Sequence, residues 1–167
     1  AVSHVVYNPL DLVTPLAADR ETTWERLLAG RSGANIIEHF KVDDLPCRIG
    51  CLVPRVDGRG AGADDPHAFN ADTIMSAKEQ RRVDDFILYG IAAAHEAVAD
   101  SGWVAVSDED KNRSGVLIGS GIGGLETLEE QHTRFLSKGP GQISHFLITK
   151  LMANAAISGE SNSPRNG

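Results

Sequence analysis

The chain has 167 residues, of which 41% are hydrophobic and 23% charged, and its formal net charge is −7. Such a composition is typical of one globular domain of ordinary size. The negative charge argues against a general nucleic-acid-binding protein. The sequence contains no apolar run of membrane-spanning length and no basic, apolar leader, so we expect a cytoplasmic protein that does not enter a membrane.

The first predicted helix follows a pair of short β-rich segments near the N-terminus. Thr22-Thr-Trp-Glu25 has the form of a capping box, with Thr22 at the N-cap and Glu25 three residues later. Gly30 and Gly33 are expected to end the helix. Its predicted apolar face consists of Trp24, Leu27 and Leu28.

The two cysteines, Cys47 and Cys51, lie within residues 34–55, which are predicted to form short strand segments. Because the chain has no secretion signal, we expect reduced thiols rather than a disulfide. A C-x₃-C pair without a further cysteine supplies too few ligands for a zinc site. Ile49, Cys51 and Val53 alternate as on a half-buried strand, which predicts that Cys51 is buried as a small hydrophobic residue.

A longer helix is predicted from about Asp84 to Asp100, after a glycine-rich loop at residues 56–68. Its apolar positions recur at a spacing of three and four residues and comprise Ile87, Ile91, Ala94 and Val98. Val104–Arg113 is predicted to be a polar connection to the next strand. Helices that alternate with short apolar strands indicate an α/β fold.

The most informative segment is the glycine-rich turn, Gly119-Ser-Gly-Ile-Gly-Gly124. It follows an apolar strand at residues 116–118 and opens a helix that begins near Leu125. Gly119, Gly121 and Gly124 fit the G-x-G-x-x-G pattern of dinucleotide-binding domains in the strand–turn–helix context that this pattern requires. That pattern also needs an acidic residue about 20 positions later to hold the ribose, and residues 135–150 contain none. Dinucleotide binding is therefore a disfavoured alternative.

Four collinear stretches, by contrast, resemble the β-ketoacyl-[acyl-carrier-protein] synthases of the thiolase-like superfamily, especially the type II elongation synthases of fatty-acid synthesis. They are residues 12–33, 78–94 and 100–103, and the glycine-rich turn with its continuation to Phe146. The resemblance implies a five-layered αβαβα thiolase-like fold, of which the chain carries the first half. It assigns residues 1–157 to the synthase domain and leaves 158–167 as a polar tail outside the family pattern.

Members of this family catalyse a decarboxylative Claisen condensation of acyl-ACP with malonyl-ACP. They use a cysteine nucleophile and two histidines, and require no metal or organic cofactor. In the family pattern these three residues come after the position of Gly167, so we expect no catalytic residue in this chain and no activity of the chain alone. The resemblance also implies a homodimeric full-length enzyme. The alternative is a non-catalytic relative, such as a chain-length-factor-like partner subunit.

The resemblance assigns an acyl-pocket role to the glycine-rich turn. Ile122 matches the family residue that lines the acyl pocket beside the nucleophile. Gly121 and Gly123 flank it and would let the turn shift to admit a longer chain. Without the resemblance, the same residues describe an ordinary tight turn with Ile122 in the core.

The resemblance assigns a second role to a basic cluster, which we define as Lys78, Arg81 and Arg82. These residues match a patch that family members present to acyl carrier protein. Carrier proteins are acidic, so exposed cations would steer them to this surface. The alternative is a solvated helix start, whose charge Glu79 and the pair Asp84-Asp85 partly offset.

Overall fold

The computed structural model describes residues 12–58, 62–115 and 118–152. Its helices are α1 (Arg20–Leu28), α2 (Ala77–Gln80), α3 (Asp85–Ser101), α4 (Asp108–Arg113), α5 (Leu125–Lys138) and α6 (Leu147–Leu151), with single 3₁₀ turns at Ala71–Thr73 and Pro140–Gln142. The strands are β1 (Ala34–Ile36) and β2 (Ile49–Cys51). Within these ranges, no helix combines the length and the apolar character that a membrane span needs.

The chain divides into two compact units. The first contains the residues up to Asn70 together with Glu96–Ser101, and the second contains Ala71–His95 and the residues from Gly102 onward. In the first unit, an ion pair of 2.8 Å between Arg20 and Asp100 ties the start of α1 to the end of α3. This pair helps to explain why the last turns of α3 belong with the N-terminal residues.

The sheet of the first unit is an antiparallel pair in which Ala34 lies opposite Cys51 and Ile36 opposite Ile49. Short strands within residues 34–55 are therefore confirmed. Both thiols are unpaired as expected, but the predicted burial of Cys51 is wrong, since Cys47 and Cys51 are both exposed. A two-stranded sheet leaves its faces open, and most strand residues here are exposed.

Helix α1 begins three residues earlier than predicted, so the proposed Thr22–Glu25 capping box is wrong. Asp19 is the N-cap, and its carboxylate accepts a hydrogen bond of 2.7 Å from the Thr22 amide. Thr22 itself is buried, and its hydroxyl oxygen lies 2.8 Å from Nδ1 of His67. The prediction failed because both Asp and Thr are good capping residues, and the sequence pattern favoured the one with a glutamate three positions later.

The predicted apolar face of α1 is uncovered among the described residues. Trp24, Leu27 and Leu28 are at least half exposed, whereas Thr22 and Thr23 are the buried side chains of this helix. A helix turns its most apolar stripe inward only where another element covers that stripe. The packing of α1 in this unit therefore goes through its threonines and its ion pairs.

The second half of the glycine-rich loop is fastened to α1. Arg26 donates two hydrogen bonds, of 2.5 and 2.9 Å, to the carboxylate of Asp65. His67 accepts a hydrogen bond of 2.9 Å from the Ala18 amide through its backbone carbonyl. The hydrogen-bonded Arg26 guanidinium lowers the pKa of Asp65 to about 2. These contacts give the loop a fixed attachment at Gly62–Ala68.

The second unit packs around α3. Ile87 and Ile91 form its core, as the predicted helical spacing requires, and Leu88 is also buried. Val98, which was predicted on the same apolar face, is exposed. Partly buried residues pack against this core, namely Ile74, Met75, Val83, Phe86 and Ile118. The predicted helix from Asp84 to Asp100 is confirmed within one residue at each end.

Two further predictions concern the chain that follows α3. The predicted polar connection Val104–Arg113 is wrong in part, because Asp108–Arg113 forms α4. Ser107 and Asp110 bond reciprocally in a capping box that starts this helix. A short helix with an apolar residue at none of its positions carries no amphipathic signal, so only its cap could have revealed it. The predicted strand at 116–118 lies mostly outside the described residues.

Candidate functional site

The glycine-rich turn leads into α5 as expected, and its glycines fall into two kinds. A Cβ atom at Gly119 or Gly121 would meet no atom within 4 Å. A Cβ at Gly123 would lie 2.5 Å from the Leu151 carbonyl oxygen, and Gly123 has a φ of +78° that disfavours any side chain. A Cβ at Gly124 would lie 2.8 Å from an Asp84 carboxylate oxygen. The turn therefore has an open first half and a tightly packed second half.

Ile122 lies at the boundary between the two halves. Its side chain is 78% exposed, so in the described residues it is not part of the core. Next to it, the Gly123 amide donates a hydrogen bond of 3.2 Å to the Ser120 hydroxyl. The Gly123 carbonyl accepts a hydrogen bond of 3.1 Å from the Leu125 amide. The backbone around Ile122 is thus ordered by short-range bonds while its apolar side chain remains available for contact.

The geometry of the turn argues against a dinucleotide site. The carboxylate of Asp84 accepts a hydrogen bond from the Thr127 hydroxyl in the first turn of α5 and lies beside Gly124. Pyrophosphate binding in that class of domain uses the positive N-terminus of such a helix. A carboxylate already occupies this position, and a second anion would be repelled.

The basic cluster is exposed at all three of its residues. Lys78 is on α2, Arg81 donates 3.2 Å to the carbonyl of Ala77, and the Arg82 guanidinium lies over the ring of Phe146. Among the described residues, no ion pair involves any of the three cations. Their charge is consequently available to a partner.

The acidic neighbours of the basic cluster form hydrogen bonds of their own. Glu79 accepts hydrogen bonds of 2.5 and 3.2 Å from the hydroxyl and the amide of Ser76, in a capping box that starts α2. These bonds lower the pKa of Glu79, and the nearby cations Arg82 and Lys78 add to the shift. Asp84 is bonded to Thr127 and to the Asp85 amide. A lowered pKa keeps Glu79 ionised, so its negative charge continues to offset part of the basic cluster.

Two connections join the basic cluster to the glycine-rich turn, and neither was predicted. Arg82 stacks on Phe146, which precedes α6, and the final carbonyls of α6 pack against Gly123 and Gly124. Asp84 provides the second connection through Thr127. Phe146 belongs to a matched segment, but no spacing rule links it to a cation 64 positions earlier.

The cluster of Asp19, Thr22 and His67 in the first unit has the residue types of a hydrolytic triad but not its geometry. The Nδ1 atom of His67 lies 2.8 Å from the Thr22 hydroxyl and 3.0 Å from the Asp19 carboxylate. A catalytic histidine must contact its nucleophile and its carboxylate through different ring nitrogens. The cluster therefore has a structural role, in which it attaches the loop of residues 56–68 to α1.

The first unit also contains an open polar cleft of about 230 Å³. Its walls include Arg26, Arg31 and Asp65, and none of the residues predicted for the acyl pocket or for carrier docking lines it. Arg26 is bonded to Asp65 and to the Leu16 carbonyl, so three of its five donors are already used within the protein. Across the described ranges, no three His, Cys, Asp or Glu side chains are grouped as a metal site would need.

A solved structure shares the fold of this chain. The ishigamide ketosynthase/chain length factor superposes with a TM-score of 0.65 over 88% of this chain and 33% of its own, at 20% sequence identity. Together with the family match given next, this likeness supports the predicted thiolase-like fold, while the five-layered αβαβα arrangement stays a prediction. Residues 5–162 match the family of the β-ketoacyl synthase N-terminal domain, and the chain belongs to that family.

Curated relatives agree with this assignment. The chain is 45% identical over 152 residues to 3-oxoacyl-[acyl-carrier-protein] synthase 2 of Rhizobium meliloti (strain 1021), covering 91% of this chain and 35% of that protein. It is 38% identical over 150 residues to the enzyme of the same name from Vibrio cholerae serotype O1, covering 90% of this chain and 33% of that protein. The chain therefore spans about a third of the length of these relatives.

Proposed function

We propose that this chain is the N-terminal portion of a 3-oxoacyl-[acyl-carrier-protein] synthase, an acyltransferase of fatty-acid elongation. The full-length protein would condense acyl-ACP with malonyl-ACP, and its cysteine and two histidines would follow the present sequence. Residues 1–157 would supply acyl and carrier binding, with 158–167 as a tail. The complete αβαβα layers and the homodimer would likewise belong to the full-length protein.

The observation that carries the proposal is the basic cluster with its unpaired charges. Three exposed cations lie within five residues and outnumber the one acid among them, Glu79. An acidic carrier protein would be attracted to such a surface, with most of the effect on the association rate. Screening by salt should weaken that attraction strongly.

The glycine-rich turn supports the acyl-binding half of the proposal. Ile122 presents an exposed apolar side chain on the half of the turn where Gly119 and Gly121 leave open space. Burial of apolar surface contributes about 0.8 kcal/mol per methylene group, so contact with an acyl chain would be favourable at this position. Movement of the open half would change the room available to that chain.

The decisive experiment measures binding of acyl carrier protein to the 167-residue chain by isothermal titration calorimetry at low and high salt. Charge reversal at Arg81 and Arg82 together should weaken binding at least about tenfold at low salt. Arg113→Glu, which reverses an exposed cation of α4 in the same unit, is the matched control and should bind like the wild type. Equal affinity of the double variant and the wild type would contradict the proposal.

A non-catalytic partner subunit, similar to a chain-length factor, is the competing hypothesis. The continuation of the reading frame beyond residue 167 separates the two. A cysteine in a Thr-Ala-Cys-like setting followed by two histidines supports the synthase, whereas a full-length protein that lacks them supports the partner subunit.

A further inference from the structure

Asp84 lies where the basic cluster ends and α3 begins. One carboxylate oxygen accepts a hydrogen bond of 2.7 Å from the Asp85 amide, and the other accepts from the Thr127 hydroxyl at 2.5 Å. Its backbone carbonyl accepts 3.0 Å from the Ile87 amide, the first bond of α3. A single residue therefore joins the start of α3 to the first turn of α5.

Thr127 is buried, with 7% of its surface exposed, so its hydroxyl depends on Asp84. A buried hydroxyl that loses its hydrogen-bond acceptor has neither a protein partner nor water to bond with, and this lowers the stability of the folded state. Hydrogen bonds to an ionised acceptor are roughly twice as strong as those between neutral groups. The contact is consequently a strong point of attachment for α5.

The same carboxylate also limits the glycine-rich turn. Its Oδ2 atom would lie 2.8 Å from a Cβ at Gly124, and the carbonyl of Lys150 would lie equally close on another side. The second half of the turn is thus held between Asp84 and the end of α6. The first half, at Gly119 and Gly121, has no such neighbour within 4 Å.

From this asymmetry we propose that Asp84 is a positioning residue for the acyl pocket, an inference that rests on the proposed function. Through Thr127 it fixes the base of the turn, so that only the half from Gly119 to Ile122 moves when an acyl chain enters. The fixed base sets the path of Ile122 and with it the length of chain that is accepted. Asp84 contacts neither the acyl chain nor the reacting atoms in this proposal.

Two substitutions at Thr127 separate positioning from packing. Thr127→Val removes the hydroxyl at nearly constant volume, and Thr127→Ser keeps the hydroxyl and removes a methyl group. Asp84→Asn provides a second test from the other side of the contact. Glu126→Gln is the matched control, because it neutralises an exposed carboxylate one residue away in the same helical turn.

The first readout is amide hydrogen exchange of the intact chain at Gly123, Leu125 and Leu128. Thr127→Val and Asp84→Asn should accelerate exchange about tenfold, as expected for the loss of a hydrogen bond to a charged group. Thr127→Ser and Glu126→Gln should stay close to the wild type. Equal exchange in Thr127→Val and the wild type, or equal acceleration by Thr127→Ser, would overturn the proposal.

The second readout uses the full-length protein that contains this chain. The ratio of kcat/KM for a long against a short acyl-ACP should change by about threefold or more in Thr127→Val and remain constant in Thr127→Ser and Glu126→Gln. Exchange that accelerates while this ratio stays constant would refute the positioning role. A wild-type chain that does not bind acyl carrier protein would instead refute the proposed function. In that case the exchange data would still show whether Asp84 holds the turn.

Discussion

The guanidinium of Arg82 lies 5.2 Å from the centre of the Phe146 ring. This contact gives one of the three cations of the basic cluster a fixed direction, because the aromatic face attracts positive charge. It also connects the cluster to the segment that precedes α6. Under the proposed function, the contact would link carrier binding to the support of the glycine-rich turn.

We predict that Phe146→Leu weakens carrier binding about two- to fivefold, the equivalent of the 0.5–1 kcal/mol typical of an exposed cation–π contact. The Phe146 ring restricts the Arg82 side chain before the carrier binds. Without the ring, Arg82 would lose more conformational entropy on binding. Calorimetry with acyl carrier protein provides the measurement. Phe135→Leu, at an exposed ring on α5, should leave the affinity unchanged. If Phe146→Leu has the same effect in an Arg82→Gln background, the two residues act independently and the explanation fails.

We predict that alanine is tolerated in the first half of the glycine-rich turn and not in the second. Gly124→Ala places a methyl group 2.8 Å from both Asp84 and the Lys150 carbonyl, and such overpacking costs about 1–3 kcal/mol. Gly121→Ala meets open space and is the control. Urea denaturation followed by circular dichroism should show a lower midpoint for Gly124→Ala alone. Equal midpoints of the two variants would show that the second half of the turn is not packed as described.

We predict an acid-sensitive contribution from the pair of Arg26 and Asp65. The pKa of Asp65 is lowered from its ordinary value of 3.8 to about 2, so the folded state binds its proton less tightly than the unfolded state does. The contribution is fully present above about pH 4 and is lost as the pH falls towards 2. Since both side chains are about a fifth exposed, we expect about 1–2 kcal/mol rather than the full value of the shift.

The corresponding variant is Asp65→Asn, compared with Asp64→Asn at the exposed neighbouring position. The free energy of unfolding from urea titrations should be lower for Asp65→Asn at pH 7, and the difference from the wild type should shrink below pH 4 and be mostly lost near pH 2. A difference that persists undiminished at pH 2 would mean that the carboxylate charge is not its source.

We predict that Asp19→Ala lowers the free energy of unfolding by about 1 kcal/mol, the usual cost of losing an N-cap. Burial opposes ionisation of Asp19, but hydrogen bonds from Thr22 and His67 outweigh it and lower its pKa. Glu25→Gln should have no measurable effect on thermal unfolding, because Glu25 does not close a capping box. If Glu25→Gln destabilised the protein more than Asp19→Ala did, Thr22 rather than Asp19 would be the N-cap, as the sequence pattern predicted.

The positions of the two longest helices, α3 and α5, were the most predictable part of the fold. The spacing of Ile87 and Ile91 and the glycines before Leu125 each specify a local structure, and α3 and α5 follow them closely. Burial was less predictable, because it depends on what covers an element. Cys51 alternates as a half-buried strand residue should, yet the two-stranded sheet leaves it exposed.

The candidate site was likewise only partly predictable from the sequence. Ile122 and the basic cluster could be named from family motifs, since those motifs are contiguous in sequence. The contacts of Asp84 with Thr127 and of Arg82 with Phe146 cross 43 and 64 positions. Arg82 and Asp84 lie before α3 and Phe146 lies before α6, so no propensity or periodicity encodes these pairs and only the tertiary fold brings them together.

The chain contains two tryptophans, one in each compact unit. Trp24 on the uncovered face of α1 is 56% exposed, and Trp103 in the second unit is 49% exposed. Indole emission shifts to shorter wavelength when water leaves the ring, so each unit carries its own optical reporter. With Trp24→Phe and Trp103→Phe, the fluorescence spectrum would report separately which unit becomes covered as the rest of a synthase, or a partner, assembles on it.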